Sequence, residues 1–178
     1  MAGMSRQRLD DLGDACTLEE ALALFDSLDA VRADAILGRW KGRELRTGHP
    51  MDGALEASGW WGKWFDGVDE VHPLVFRTPG GDLVSLDPRR VPLGLAGTLP
   101  LGAMATARRS LGVLRIAMQT ARPRARLRHV EHRGVVTAAM VYDHLPIIDV
   151  FRQVDADTLL GVMDLRDSPP YCFVLERA

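Results

Sequence analysis

The last third of the chain restricts the fold most strongly, because it contains five short β-like segments in succession. The segments cover residues 124–132, 135–142, 147–154, 158–164 and 171–176. Turn-forming residues separate them, among them Arg133-Gly134 and Ser168-Pro169-Pro170. Short strands at regular spacing with turn chemistry between them are typical of an antiparallel meander. A sheet of this kind has to curl or pair with other strands to cover its apolar face.

The earlier part of the sequence adds short helices and further strands. Thr17-Leu18-Glu19-Glu20 has the pattern of a capping box, and apolar residues then recur at helical spacing. The predicted elements, in chain order, are a helix over about 17–29, a strand from Gly38, a short helix over about 50–58, strands over about 71–76 and 83–86, and an amphipathic helix over about 102–119. Together they predict an α+β fold that is mainly antiparallel β, with accessory helices.

Composition excludes several classes of protein. The chain has 178 residues, of which 26% are charged, and its formal net charge is −2. This length suits one domain, and the balance of charge argues against a disordered chain and against a nucleic-acid partner. The two cysteines, Cys16 and Cys172, lack CxxC or Cys/His spacing, which excludes a zinc site built on thiolates. Nearly all basic residues are arginine, since only Lys41 and Lys63 are lysines.

Targeting signals are not evident in the sequence. Acidic residues interrupt the N-terminal region before an apolar run of signal-peptide length is reached. No segment approaches the ~20 apolar residues of a membrane span. We therefore expect a cytoplasmic protein in which Cys16 and Cys172 are reduced, rather than one in which a disulfide joins the two ends of the chain.

Two stretches of the chain resemble a known bacterial family. Gly38-Arg39-Trp40-Lys41-Gly42 matches the pattern G-x-W-x-G. The run from Tyr142 to Asp155, followed by Leu160-Gly161-Val162-Met163-Asp164, is similar to the domain that comes after this motif in the family. The combination resembles the GXWXG-domain family that carries a C-terminal domain of unknown function, over about residues 30–177. The resemblance implies a shared fold and no particular chemistry.

The polar composition of the N-terminal residues and this resemblance together suggest how the chain is organised. Residues 1–16 are expected to be a flexible N-terminus, and residues 17–178 to form a single domain. Within that domain we expect a GXWXG part over about 30–90, a linker and helix over about 91–120, and a β-meander part over about 121–178.

The chain also resembles the calycins, which include lipocalins, fatty-acid-binding proteins and nitrobindins and which open with a short helix and a G-x-W strand. The resemblance implies a calycin-like up-and-down barrel or a strongly curled sheet. Trp40 would close one end of it beneath an arginine from near the C-terminus, and Arg177 is the best-placed candidate. Nitrobindin-like barrels bind haem through a histidine near the C-terminus, but no histidine follows His144. Haem is therefore disfavoured, and no cofactor is predicted.

A small hydrophobic ligand, fatty acyl or aromatic, is the partner that such a barrel would enclose. The tryptophans of the segment Trp60 to Phe65 either line the pocket or pack a helix onto the sheet. Pattern alone selects the ligand-binding candidates, which are Trp40, Trp60, Trp61, Trp64, His72, Met140, Tyr142, Phe151, Met163 and Phe173.

An enzyme on the same scaffold is the alternative, an isomerase or hydrolase of a hydrophobic substrate. Asp149 lies in an apolar run where a charge is unfavourable unless it is paired, and Arg152 or His144 is the expected partner. Asp149 with Tyr142 or His72 would supply acid–base chemistry, whereas a structural ion pair is the simpler interpretation. Motifs of serine hydrolases, phosphate loops, Rossmann cofactor sites and zincins do not occur, and histidine spacing predicts no metal site. The binding role is therefore preferred.

Two further interpretations concern surfaces. The apolar stripe of the 102–119 helix would serve as the seam of a homodimer. Arg122, Arg124, Arg126 and Arg128 would share one face of an extended strand. That face either binds phosphate or an acidic partner, or it is a solvated outer surface. The lack of interleaved aromatic residues argues against single-stranded nucleic acid.

Overall fold

The computed structural model describes residues 2–78, 80–90 and 118–178. The α-helices in these residues are α1 (Ala2–Leu12), α2 (Leu18–Ser27) and α3 (Ala54–Ser58). The strands are β1 (Asp29–Ala30), β2 (Gly38–Leu45), β3 (Trp60–Phe65), β4 (Val71–Arg77), β5 (Leu83–Ser85), β6 (Ala125–His132), β7 (Val135–Tyr142), β8 (Ile147–Asp155), β9 (Thr158–Leu165) and β10 (Tyr171–Arg177). Two short 3-10 turns cover Ala33–Ile36 and Pro88–Arg90. Almost all of the amphipathic helix predicted over 102–119 lies outside the described residues.

Helix α2 begins where the sequence predicts. The Thr17 hydroxyl accepts a hydrogen bond from the Glu20 amide, and the Glu20 carboxylate accepts one from the Thr17 amide, so the capping box is confirmed. Helix α3 is shorter than predicted, because residues 50–53 form turns and the helix begins only at Ala54. Gly59 ends it in the left-handed conformation at φ 83°, which glycine adopts without strain.

The N-terminal residues differ from the flexible segment that their polar composition suggests. They form α1, in which Leu9 is fully buried. Arg6 of the same helix donates a hydrogen bond to the Thr158 hydroxyl at 3.1 Å and lies 3.4 Å from a Glu176 carboxylate oxygen. Leu9 and Leu12 pack in one apolar cluster, and Arg8 adds a hydrogen bond to the Ser27 hydroxyl of α2. Two leucines are too few to give the apolar stripe by which a sequence predicts an amphipathic helix.

Eight of the strands in the described residues close into a ring. The order around it is β8-β7-β6-β4-β3-β2-β10-β9, and β9 pairs again with β8. Every pairing along this ring is antiparallel. Strand β1 lies beside β8 and β5 beside β4, outside the ring. The prediction of an α+β fold dominated by antiparallel β is confirmed.

Two junctions join the first half of the chain to the C-terminal meander. Strands β2 and β10 pair over six residue pairs, from Cys172 opposite Leu45 to Arg177 opposite Trp40. Strands β4 and β6 share one registered pair, Val71 with Ala125. Of these two junctions, the one between β4 and β6 therefore has the shorter strand pairing.

Apolar clusters lie on both faces of this sheet. The inner cluster draws side chains from all eight ring strands, including Trp40, Phe65, Val71, Leu127, Met140, Phe151, Met163 and Phe173. The outer cluster packs α1 and α2 against β8, β9 and β10 through residues such as Leu9, Phe25, Val150, Leu160 and Val174. Because β9 and β10 are buried on both faces, most of their residues are apolar, from Leu159 to Met163 and from Tyr171 to Leu175.

A β-bulge at Gly62 changes which side chains of β3 face the interior. The pairing of β3 with β4 shifts register on both sides of Gly62. Its φ is +151°, and a Cβ there would overlap the carbonyl oxygen of Trp40, so the position requires glycine. As a result Trp60 and Lys63 both contribute to the interior, although residues three apart in a regular strand point to opposite faces.

Candidate functional site

Trp40 lies near the end of the ring at which β2 begins and β10 ends. Its side chain is 1% exposed, and its indole N–H donates to the carbonyl oxygen of Ile36 at 2.8 Å. The Arg177 guanidinium lies over the indole, 4.3 Å from the ring centroid, and donates to the carbonyl oxygen of Leu37 at 2.9 Å. Arg177 also pairs with Asp157 at 3.2 Å. The expected contact between Arg177 and Trp40 is therefore present, and its polar groups are paired.

A small cavity lies near the other end, between the inner sheet face and the segment that carries α3. Its volume is about 30 Å³. The lining residues are Met51, Leu55, Trp60, Lys63, Leu74, Tyr142, Ile147, Asp149, Met163, Leu165, Tyr171 and Phe173. Leu55 and Leu165 are half-buried, so this side of the cavity is nearest to solvent. The lining is apolar except for the Lys63 and Asp149 side chains and a few polar tips.

Lys63 and Asp149 form an ion pair across the inside of the ring, the cross-ring pair. Their strands, β3 and β8, lie four places apart in either direction around the eight-stranded ring. Lys63 Nζ lies 2.7 Å from Asp149 Oδ2, and the two side chains are 4% and 2% exposed. Lys63 Nζ also donates to the carbonyl oxygen of Pro73 at 3.3 Å. The pair therefore joins opposite walls of the ring.

Aromatic rings surround the cationic end of the cross-ring pair. Lys63 Nζ is 5.0 Å from the centroid of Phe173, 5.7 Å from that of Trp60 and 5.9 Å from that of Tyr142. Ring faces at these distances attract a cation. They supply no strong acceptor, however, so the Lys63 proton donors have only Asp149 and Pro73 as oxygen partners within the described residues.

Burial controls the electrostatics of the anionic end. It raises the pKa of Asp149, while the positive charge and hydrogen bond of Lys63 act in the opposite direction. Burial, with a smaller contribution from the Asp149 charge, also holds the pKa of Tyr142 well above its ordinary value. Two buried polar atoms of the lining, Asp149 Oδ1 and Trp60 Nε1, have no hydrogen-bond partner among the described residues. One is an acceptor and the other a donor.

A separate buried network fixes α3 at the rim of the cavity. The Tyr171 hydroxyl donates to Glu44 Oε1 at 2.6 Å, and Glu44 accepts hydrogen bonds from the amides of Gly53 and Leu55 at 2.7 and 2.8 Å. Burial is the main cause that raises the pKa of both Glu44 and Tyr171. This network ties the start of α3 to β2 and β10, so Leu55 is held at the rim.

The structure brings together part of the predicted site. Trp60, Tyr142, Asp149, Met163 and Phe173 line the cavity. The Trp40, Met140 and Phe151 side chains belong to the same inner cluster but do not line the cavity.

Three other candidates lie apart from the cavity lining. The Trp64 ring packs against the Arg39 guanidinium at 4.4 Å and against the His72 ring at 5.8 Å. His72 Nδ1 lies 3.0 Å from the Ser85 hydroxyl oxygen, and burial lowers the pKa of His72. Trp61 is buried at 8% exposure without joining the lining.

The partner of Asp149 differs from the expectation. Neither Arg152 nor His144 pairs with it in the described residues, and Lys63 does so instead. Arg152 donates to the carbonyl oxygen of Leu28 and lies over the Phe25 ring in the outer cluster. Sequence reasoning missed Lys63 because regular alternation along β3 would place Lys63 and Trp60 on opposite faces of the sheet. Only the bulge at Gly62 brings both side chains to the inner face. One feature of the sequence could have pointed to Lys63. The chain has only two lysines, and Lys63 is the one that lies in a segment with three tryptophans.

The arginine-rich strand β6 carries ion pairs on its outer side. Arg126 lies 2.8 Å from Asp143 and Arg128 lies 2.6 Å from Asp69, and all four side chains are at least partly exposed. In the parts of the chain that the structure describes, no helix is long and apolar enough to cross a membrane. No group of three or more histidine, cysteine, aspartate or glutamate side chains is arranged to hold a metal ion in these same parts.

Comparison with known proteins assigns the chain to a family. A family model described as "GXWXG protein" matches residues 23–81, and the model of a domain of unknown function, DUF4334, matches residues 123–177. The chain belongs to the GXWXG family. A crystal structure of a protein from Thermomonospora curvata is similar to this GXWXG protein, with 34% sequence identity over 98% of both chains and a TM-score of 0.73. No curated protein matches the chain.

The two glycines of the GXWXG motif have separate structural roles. A Cβ at Gly38 would lie 3.0 Å from Arg177 Nη1, and the φ of Gly38 is +123°. A Cβ at Gly42 would overlap the ring of Trp60. The first glycine therefore leaves room for the arginine over Trp40, and the second leaves room for the indole that lines the cavity.

Proposed function

We propose that the ring is a calycin-like barrel that binds a small apolar molecule carrying one polar group. The observation that carries this proposal is the pair of unpartnered atoms, Asp149 Oδ1 and Trp60 Nε1, on residues that line an apolar cavity. A buried polar atom left unpaired destabilises a protein by about 1–3 kcal/mol. A ligand hydroxyl that donates to Asp149 and accepts from Trp60 would satisfy both atoms.

The size of the cavity limits how such a ligand binds. About 30 Å³ has room for one or two water molecules, and therefore for a polar head group alone. In our proposal the apolar part of the ligand displaces Met51, Leu55 and Met163 toward the half-buried side of the cavity. Methionine is unbranched and repacks readily, so this side of the lining is the part best suited to yield. The apolar area that the ligand then buries stabilises the complex by roughly 25 cal/mol per Å².

Acid–base catalysis at the same cavity is the second candidate function. Asp149 and Tyr142 both line the cavity, and burial raises the pKa of both groups. A carboxyl group with a raised pKa is suited to donate or accept a proton near neutral pH. Tyr142 is the better second residue for this role than His72, which lies outside the lining.

Binding is tested with 2-naphthylmethanol and 1-decanol, an aromatic and an aliphatic alcohol. We expect saturable binding of at least one of them at a single site, measured by isothermal titration calorimetry and by a change in tryptophan fluorescence. Trp60→Phe keeps an aromatic ring but removes the donor, and it should weaken the affinity about tenfold. Trp64→Phe is the matched control, because its ring packs on Arg39 and His72, and it should keep the affinity.

Two results would contradict the proposal. The first is the absence of saturable binding of either alcohol to the folded protein. The second is an equal loss of affinity in the Trp60→Phe and Trp64→Phe proteins, since that would place the ligand outside the cavity.

A further inference from the structure

We infer that the Lys63 amine is a covalent attachment point for aldehydes or ketones, which it holds in the cavity as a protonated imine with the Asp149 carboxylate as counter-ion. This inference rests on the proposed function, because it specifies the class of ligand that the same cavity takes. It adds a bond that simple binding does not require.

The choice of lysine at this position is the first argument. Of 22 lysine and arginine residues in the chain, only two are lysines. One of these, Lys41, is exposed on β2, whereas Lys63 is 3% exposed inside the ring. Arginine would pair with a carboxylate through two hydrogen bonds, but it stays protonated in proteins and cannot act as a nucleophile. Of the two lysines, Lys63 therefore places an amine inside the ring, where its chemistry differs from that of an arginine.

The surroundings of Lys63 are the second argument. Three aromatic rings lie around its Nζ, at 5.0 to 5.9 Å from the ring centroids. These rings form the apolar wall of the cavity beside the amine, so a bound carbonyl compound with an apolar body would lie next to Nζ. They also exclude bulk water, which hydrolyses imines. Asp149 Oδ2, at 2.7 Å, is close enough to accept a proton from the ammonium group and to return it to a bound carbonyl oxygen.

The proton balance of imine formation needs no group beyond this pair and the ligand. Asp149 takes a proton from the Lys63 ammonium, and the free nitrogen lone pair forms a bond to the carbonyl carbon while the carbonyl π electrons move to oxygen. That oxygen takes the proton from Asp149 and becomes the hydroxyl of a carbinolamine. A second proton passes from nitrogen through Asp149 to the hydroxyl, the C–O bond breaks, and water leaves. Ammonium and carbonyl thus give protonated imine and water, without oxidation or reduction.

The electrostatics of the pair suit this exchange. Burial raises the pKa of the Asp149 carboxyl, so the carboxyl holds a proton more readily than an exposed aspartic acid does. The product keeps one positive charge on nitrogen and one negative charge on Asp149, as the unmodified pair does. Imine formation therefore leaves no unpaired charge inside the ring, where an isolated charge is strongly unfavourable.

The experiment uses 2-naphthaldehyde with sodium cyanoborohydride, which reduces an imine to a stable secondary amine. We expect peptide mapping by mass spectrometry to find, among the two lysines, the naphthylmethyl group on Lys63. Lys41 is the internal control, because its exposed amine should react more slowly despite its accessibility. Lys41→Arg should leave the modification unchanged, and Lys63→Arg should abolish it.

The role of Asp149 is tested by its neutral counterpart. Asp149→Asn keeps the shape of the side chain and leaves the Lys63 amine in place, but it cannot carry the proton. The rate constant of trapping at Lys63, measured at saturating 2-naphthaldehyde so that a change in affinity does not enter it, should fall about 10²-fold.

The outcomes separate this inference from the proposed function. If 2-naphthylmethanol binds but 2-naphthaldehyde is trapped at Lys41, or at no lysine, the imine proposal is wrong and non-covalent binding stands. If neither compound binds, both proposals are wrong. If the Asp149→Asn protein is trapped at Lys63 at an unchanged rate, Asp149 does not transfer the protons, and that part of the inference is wrong.

Discussion

The two ends of the ring differ in how completely the polar groups of their inward-facing side chains are paired. At the Trp40 end the indole donates to Ile36, and the guanidinium over it has both hydrogen-bond and carboxylate partners. At the cavity end, within the residues that the structure describes, Trp60 Nε1 and Asp149 Oδ1 lack partners. Both ends use tryptophan and a cation, so composition does not separate them. Other buried polar atoms without partners, such as Trp64 Nε1 and Arg152 Nε, lie elsewhere in the described residues and line no part of this cavity. What distinguishes the cavity end is that an unpaired acceptor and an unpaired donor line the same apolar space.

The largest expected effect is at the paired end. Trp40→Ala removes the largest fully buried side chain of the inner cluster and should lower the free energy of unfolding by about 3–5 kcal/mol. Urea denaturation followed by circular dichroism measures this change. A loss of stability smaller than that caused by Trp60→Phe would contradict the comparison of the two ends, because Trp40 would then contribute less to stability than the residue that lines the cavity.

The next effect concerns the cross-ring pair. Lys63→Met leaves Asp149 without its cation and should lower the free energy of unfolding by about 3 kcal/mol at pH 8. The double variant Lys63→Met/Asp149→Leu removes both charges and should recover most of that loss. Urea denaturation at one fixed pH tests both variants. If the double variant is no more stable than the single one, the unpaired Asp149 charge is not the cause of the destabilisation. The two native side chains are then needed to pack the interior of the ring.

The pH dependence of the Lys63→Met protein follows from the direction of the Asp149 pKa. Burial raises this pKa in the folded state, and removal of Lys63 takes away the charge that lowers it. The unfolded chain releases the Asp149 proton near its ordinary pKa, whereas the folded variant holds it to higher pH. Stability should therefore be retained below the unfolded pKa and decline as the pH rises toward the folded pKa. Equal destabilisation at pH 4 and pH 8 would contradict this mechanism.

The smallest effect is expected from Arg177→Met. The substitution removes the cation over Trp40 but keeps an apolar side chain, and it should lower the free energy of unfolding by about 0.5–2 kcal/mol. Arg166→Met, at an exposed arginine of the β9–β10 turn, is the matched control and should change the stability by less than about 0.5 kcal/mol. Equal losses in the two variants would show that the contact of Arg177 with Trp40 does not stabilise the protein. The Trp40 end would then be stabilised by apolar packing alone.

Local patterns were sufficient to predict much of the fold. The capping box at Thr17 and the five C-terminal strands depend on neighbouring residues, and the structure has α2 and β6 to β10 at these positions. The contact of Arg177 with Trp40 followed from the resemblance to calycins. Helix α1 was missed because contacts with the distant residues Thr158 and Glu176 hold it.

The cross-ring pair could not be predicted from local pattern. Its members are 86 residues apart, and one of them faces inward only because of the bulge at Gly62. The requirement that Asp149 be paired was evident from its apolar neighbours, but the identity of its partner depends on how the sheet closes. Ring closure brings β3 opposite β8, and a strand pattern does not encode that distance.

The pairing of β2 with β10 has a consequence for how the chain comes together. It joins residues near 40 to residues near 175, and β10 also supplies the partner of β9. While the ribosome is still making the meander, Trp40, Phe65 and their neighbours have no opposite wall to face. Nascent chains with such uncovered surface are prone to aggregate and are frequent clients of chaperones. The apolar inner face of the first half is therefore covered only after β10 has been synthesised and has paired with β2.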